Sequence, residues 1–216
     1  MTTNSIKTLI FDFDGTIADT IDVMLTIYNS TLAPKFNCRP LDKEMKQQMR
    51  AMNPREMMHV FGASLVKLPF MVAKARSELA KRIDDIKPHT GICEALRQIK
   101  NKGVQCGLLT SNSRHNVLRF LKCHELTDIF DFICTGKHLF GKHTILRRVI
   151  RKEDLSPETS VYVGDEMRDI EAAHKAGIRV AAVTWGYNNK KALTKHNPEW
   201  VIDVPEGLLA IITHPK

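Results

Sequence analysis

Apolar runs short enough to be strands recur along the chain, and helical patterns separate them. IKTLIFDF (6–13) opens the series, followed by VQCGLLTS (104–111), SVYVGD (160–165) and IRVAAVT (178–184). EWVID (199–203) is a short fifth run and DFICTG (131–136) a weaker candidate. Between them, 91–102 puts Ile92, Leu96 and Ile99 on one helical face and stops at Gly103. Residues 115–123 do the same with Val117, Leu118 and Leu121, and 142–152 and 167–176 also read as helices, the last stopped by Gly177. Strands this apolar, alternating with helices, predict an α/β fold: a doubly wound parallel sheet covered on both faces.

Residues 18–87 break the alternation. NPREMMHVFG (53–62) carries Asn53 as N-cap, Pro54 at the first helical position, Glu56 three residues in and Gly62 as a stop. LPFMVAKARSELAKRIDDI (68–86) reads as one further helix. Pro88 and Gly91 in KPHTG then mark the return to the alternating pattern. The expected organisation is a Rossmann-like core over 1–17 and 88–216, with an inserted all-helical cap over 18–87.

Composition narrows the class only slightly. The 216 residues are 43% hydrophobic and 26% charged, ordinary for a globular chain. Five scattered cysteines, with no CxxC pair, suit reduced thiols better than a disulfide framework or a zinc site. MTTNSIKTLIFDFDG lacks a basic-then-apolar leader pattern, and no run approaches the ~18 apolar residues of a membrane span. A soluble, cytoplasmic monomer or homodimer without a membrane partner is expected. The net charge of +8 admits nucleic acid or an anionic substrate. However, the basic residues are spread out, and the densest group, Arg147, Arg148, Arg151 and Lys152, lies on a predicted helix as a solvated face. Nucleic acid is therefore disfavoured.

Candidate chemistry sits where the strands end. In a parallel sheet, ligands bind beyond the carboxyl ends of the strands. Asp12 and Asp14 lie there, two residues apart at the close of an apolar run, and Gly15 follows at once. One carboxylate could cap a turn, but two repel each other, and a hard divalent cation resolves the repulsion. Asp165 ends the SVYVGD run and Asp169 enters the next helix, adding a second acidic pair at the same edge. LLTSNS brings Thr110, Ser111, Asn112 and Ser113 to a helix start, which makes an anion site, with Ser113 as N-cap. Lys142 begins a helix, where the dipole disfavours a cation, so nearby anions best explain it; Lys137 is a rival for that role.

These residues carry a resemblance. DFDGT (12–16), LLTSN (108–112), Lys142 and GDEMRD (164–169), in that order and spacing, resemble the four motifs of the haloacid dehalogenase superfamily. Within it, the chain looks like the phosphatases with a helical cap after the first strand, such as phosphoglycolate phosphatases. The resemblance implies a Mg²⁺-dependent phosphoric monoester hydrolase. Asp12 would be the nucleophile forming an aspartyl-phosphate, and Asp14 the general acid and then base. Mg²⁺ would be held by the Asp12 side chain, the Asp14 backbone carbonyl and Asp165, with Asp169 behind them or as an alternative ligand. Ser111, Asn112 and Lys142 would bind the phosphoryl oxygens, and Thr16 would contact Asp14 or the phosphate. His143 stands where many relatives have proline after the lysine.

The implied substrate is a small phosphate monoester. A sugar-phosphate mutase and a non-catalytic phosphate- or partner-binding module are the alternatives. Residues 17–87 hold twelve Lys and Arg against eight Asp and Glu. A cap of that balance, closing over the site, favours a substrate with a second anionic group. Arg50 and Arg55 are the candidates for gripping it, since arginine suits bidentate contact with carboxylate.

Overall fold

The structure is a computed structural model that describes residues 5–62, 64, 66–136 and 141–213. Six strands form one sheet: β1 (Thr8–Phe11), β2 (Gln105–Thr110), β3 (Phe132–Thr135), β4 (Ser160–Gly164), β5 (Arg179–Val183) and β6 (Trp200–Ile202). All neighbours pair in parallel, in the order β3-β2-β1-β4-β5-β6. The weaker candidate at 131–136 is thus a real strand, at one edge of the sheet.

Alternation along the central strands sorts their side chains between two cores. Leu9 and Phe11 of β1, Val161 and Val163 of β4, and Ala181 and Val183 of β5 face one side. Ile10, Tyr162, Val180 and Ala182 face the other. Helices α6 (Ile92–Asn101), α7 (Arg114–Cys123) and α11 (Leu208–Thr213) cover the first face. The second is covered by α8 (Lys142–Lys152), α9 (Met167–Ala176) and α10 (Lys190–Thr194). Burial on both faces is why these strands read as nearly unbroken apolar runs.

Between β1 and α6 the chain is helical: α1 (Ile21–Ile27), α2 (Ala33–Phe36), α3 (Lys43–Met49), α4 (Pro54–Val60) and α5 (Leu68–Ala80). A wide π turn over Tyr28–Leu32 joins α1 to α2, and Asn37 ends that run in the left-handed region at φ 52°. Asn53 and Glu56 form the expected capping box on α4. The helix expected over 68–86 stops earlier, at Ala80, and a separate 3₁₀ turn follows at Ile83–Asp85. Ile83, in that turn, and Ile86, just after it, are both buried.

The helical segment leaves and rejoins the sheet layer at one place. Asp19 N–H donates to the Lys87 carbonyl (2.9 Å) and His89 N–H to that of Ile17 (3.0 Å). Its buried side chains, among them Ile27, Leu32, Met71 and Leu79, join the same cluster as Phe11 and Phe13.

Candidate active site

β1 and β4 are adjacent, and the chain runs outward from β1 to β2 and β3 on one side and from β4 to β5 and β6 on the other. Their carboxyl ends therefore flank the point where the strand order reverses, which is where open α/β sheets bind ligands. Register places Phe11 beside Val163, so Asp12 and Asp165 emerge there together. Asp12, Asp165 and Asp169 are all buried, and each offers an oxygen within 4.8 Å of those of the other two.

Lys142 reaches into this group from the start of α8. Its Nζ lies 2.9 Å from Asp12 Oδ2 and 2.5 Å from Asp169 Oδ1, over the ring of Tyr162. Burial opposes the ammonium charge, but Asp12 and Asp169 outweigh it and raise the lysine well above its ordinary pKa. Nearby anions thus account for a lysine at a helix N-terminus, as its position suggested. Lys137, the rival, lies outside the described residues.

Among the described residues, Asp165 has neutral donors only. Its Oδ1 accepts from the Thr16 hydroxyl at 2.8 Å and its Oδ2 from the Tyr187 N–H at 2.7 Å. Burial, then Glu166, Asp169 and Asp12, push its carboxyl well above the usual range. Burial also lifts Asp12 to about 6, against the pull of Lys142. Asp14 goes to about 7, through burial and then the charge of Asp12.

Three buried carboxylates outnumber the one ammonium that bonds to them, and the raised protonation range of Asp12 and Asp165 reflects their burial and that excess. Such desolvated charge is expensive without a counter-ion, and an all-oxygen set is what a hard divalent cation takes. The residues present therefore fit a divalent metal. The Asp14 carboxylate stands outside this set. It accepts instead from the Asn112 amide, at 3.2 and 3.3 Å.

Thr16 and Asn112 both bond to carboxylates. The fully buried Thr16 hydroxyl donates to Asp165 rather than Asp14. The Asn112 amide donates to Asp14, while its oxygen accepts from the Ser113 N–H (2.8 Å) and Asn116 Nδ2 (3.0 Å). Both side chains thus orient carboxylates. Ser111 is half-buried at the end of β2, and Ser113 caps α7 as expected, accepting from the Asn116 N–H.

Gly15 answers to this crowding. It sits at φ +80°, and a Cβ there would lie 2.3 Å from Asp165 Oδ2. A Cβ at Gly186 would lie 2.2 Å from the same oxygen.

Sequence reasoning missed the loop after β5, Thr184–Asn189. Tyr187 supports Asp165, and Asn188 accepts from the Met167 N–H at the start of α9 (2.9 Å). The same loop grips the turn between α3 and α4. Asn188 Nδ2 donates to the carbonyls of Arg50 and Met52, and Arg50 Nη2 donates to those of Thr184 and Gly186 (3.1 and 3.0 Å). The signal available was position: TWGYNN follows a strand at its carboxyl end.

Known proteins are similar to this chain along nearly its whole length. A phosphoglycolate phosphatase of Synechococcus elongatus is 31% identical over 207 residues, 96% of this chain and 97% of its own. The pyrophosphatase PpaX of Bacillus cereus is 24% identical, with 97% of each chain covered. Among solved structures, a predicted phosphatase from Clostridium acetobutylicum superposes with a TM-score of 0.82 at 19% identity, covering 97% of this chain and 99% of its own. The profile of the haloacid dehalogenase-like hydrolases matches residues 9–183, and with four motifs meeting at one sheet edge, the chain belongs to that family.

Proposed function

We propose that this hydrolase is a Mg²⁺-dependent phosphatase of small phosphate monoesters that works through an aspartyl-phosphate on Asp12. The observation that carries the reading is the convergence of Asp12, Asp165, Asp169 and Lys142 at the strand-order reversal. Asp12, Asp165 and Asp169 would hold Mg²⁺, which neutralises charge on a transferring phosphoryl group.

The chain's own groups divide the remaining work. Asp12, lifted only to about 6, is mostly ionised at neutral pH and is the nucleophile. Its oxygen bonds to phosphorus as the bond to the leaving oxygen breaks. Asp14, lifted to about 7, gives its proton to that oxygen. It then takes a proton from the water that attacks phosphorus, releasing phosphate and regenerating the Asp12 carboxylate. A group poised near the working pH serves both steps. Asn112 holds it in place, and Lys142 keeps Asp12 charged and offers its ammonium to the phosphoryl oxygens.

Phosphoglycolate, or a similar small ester with a second anionic group, is the substrate class that fits. The relatives' names point the same way: phosphoglycolate carries a carboxylate, and pyrophosphate a second phosphate. Residues 18–87 are the cap over the site, bound to the core through Arg50 and the 184–189 loop. Cysteines 38, 93, 106, 123 and 134 are all unpaired, which suits a reducing, cytoplasmic setting.

Intact-mass measurement after brief exposure to phosphoglycolate and Mg²⁺ tests the reading. The wild type should show a phosphoenzyme that decays. Asp12→Asn should show none, with turnover down about ten-thousand-fold or more. Chelator should stop turnover, and Mg²⁺ should restore it. Phosphorylated Asp12→Asn protein would place the nucleophile elsewhere.

A further inference from the structure

Arg50 directly follows α3, and the sequence marks it as a candidate for gripping the substrate. Its side chain is engaged elsewhere. Nη2 donates to the carbonyls of Thr184 (3.1 Å) and Gly186 (3.0 Å) in the loop after β5. The Arg50 carbonyl accepts in return from the Asn189 N–H (2.8 Å) and from Asn188 Nδ2 (3.2 Å). Its Nε is shut off from solvent and finds no partner among the described residues, so the side chain is held there at some cost.

The Gly186 carbonyl belongs to the peptide group that joins Gly186 to Tyr187. The N–H of that same group donates to Asp165 Oδ2 at 2.7 Å. A trans peptide is planar, with its C=O and N–H on opposite edges. Fixing the oxygen therefore fixes the direction of the N–H. A cation on the oxygen also strengthens the N–H as a donor, because hydrogen bonds in a chain polarise one another. Gly186 packs directly on the carboxylate, where a Cβ would lie 2.2 Å from Oδ2. Asn188 N–H donates to the Asp165 backbone carbonyl (3.2 Å), so the loop holds this residue at both ends. The donors that touch the Asp165 carboxylate are neutral, and Arg50 is the charge behind one of them.

We propose that Arg50 is a positioning residue for the metal site: it orients and polarises the 186–187 peptide that holds Asp165. The inference rests on the metal-dependent reading above and goes beyond it by tying the helical segment to the metal. Groups that hold a ligand in place tune its affinity for metal. Coupling of this kind is reciprocal. Arg50 strengthens metal binding, and bound metal strengthens the joint between the segment and the core.

The probe is the metal alone, without substrate, on the full chain. Loss of the electron paramagnetic resonance signal of free Mn²⁺ measures binding. Arg50→Met keeps most of the stem and removes the charge and the fork. It should bind Mn²⁺ about 3- to 10-fold more weakly than the wild type, the size of one weakened hydrogen bond. Arg50→Lys keeps the charge on a single ammonium and should lie between the two, so one poorly folding variant does not decide the matter. Amide exchange read residue by residue supplies the second measurement. The Tyr187 amide should exchange faster in Arg50→Met, and Mg²⁺ should slow exchange at Asn189 in the wild type. Faster exchange at Tyr187 with unchanged Mn²⁺ affinity would make Arg50 a tether only and overturn the proposal, as would unchanged exchange at both amides. Either result leaves the phosphatase reading intact where the wild type turns over phosphoglycolate with Mg²⁺. A wild type that binds no Mn²⁺ and needs no Mg²⁺ for turnover would overturn both.

Discussion

The sheet edge and the helical segment handle charge in opposite ways. At the edge, buried candidates hold one another: Lys142 spans Asp12 and Asp169, Thr16 holds Asp165, and Asn112 holds Asp14. In the segment, most ion pairs lie toward solvent, as in Lys46 with Asp22 and Lys81 with Glu78. Such exposed pairs contribute little. Buried charge at the edge is expensive, and the chemistry needs it there. In the segment, solvated charge says little about function, and the informative contacts are those that tie it to the core, as with Arg50 and the carbonyls of Thr184 and Gly186.

The largest expected effect tests the cost at the edge. Asp12 and Asp14, lifted to about 6 and about 7 from an ordinary 3.8, favour the protonated form when folded. The unfolded chain ionises them near their ordinary value. Stability from these groups is therefore full below about pH 4 and lost as pH rises through 6 and 7. Asp14 alone accounts for on the order of 4 kcal/mol. Denaturant titrations of metal-free protein should show this fall, and Mg²⁺ should flatten or reverse it above pH 7. The segment's Glu78, held down to about 2 by hydrogen bonds from Lys74 and Lys81, titrates far below this window. A flat metal-free profile would remove the contrast between the two regions.

What the sequence made legible follows the same division. The strands, the carboxylate pairs, Lys142 and the Asn53 capping box all announce themselves within a few residues, through period, spacing or helix-end chemistry. The Rossmann-like order then brings distant motifs to one edge with little freedom left. The segment offered no such constraint. Its charge balance pointed to Arg50 and Arg55, because a helix start is a local signal. Whether an arginine has a partner is decided by residues more than a hundred positions away, as with Arg50 and Thr184. Nor does the pattern mark the end of α5 at Ala80, since Leu79, Ile83 and Ile86 keep helical spacing past it and are all buried.

A middle-sized effect probes the joint between the regions. Asn188 is buried and binds the Met167 N–H of the core and two carbonyls of the segment. Asn188→Ala strands those groups and should cost about 1–3 kcal/mol. It should also speed hydrogen exchange at the Asn189 amide, which donates to the Arg50 carbonyl at 2.8 Å. Lost stability with unchanged exchange there would mean that the side chain serves the core alone, and that the segment is held by other contacts.

The smallest effect is expected at Arg55, on the solvated side of the comparison, although its place just inside the Asn53 cap makes it a candidate from the sequence. The backbone N–H of Arg55 donates to Asn53 Oδ1 at 2.9 Å, and alanine keeps that bond. Its side chain is exposed, so its charge is already paired with water. Arg55→Ala should change stability by less than about 0.5 kcal/mol, as surface substitutions usually do. Its effect on kcat/KM for phosphoglycolate should stay within about twofold, since a screened charge in water contributes little to a contact. Parallel assays of Arg55→Ala and the wild type at two salt concentrations make the comparison direct. A tenfold loss in Arg55→Ala that fades with added salt would show that long-range attraction from the surface of the segment, rather than a buried contact, recruits the anion.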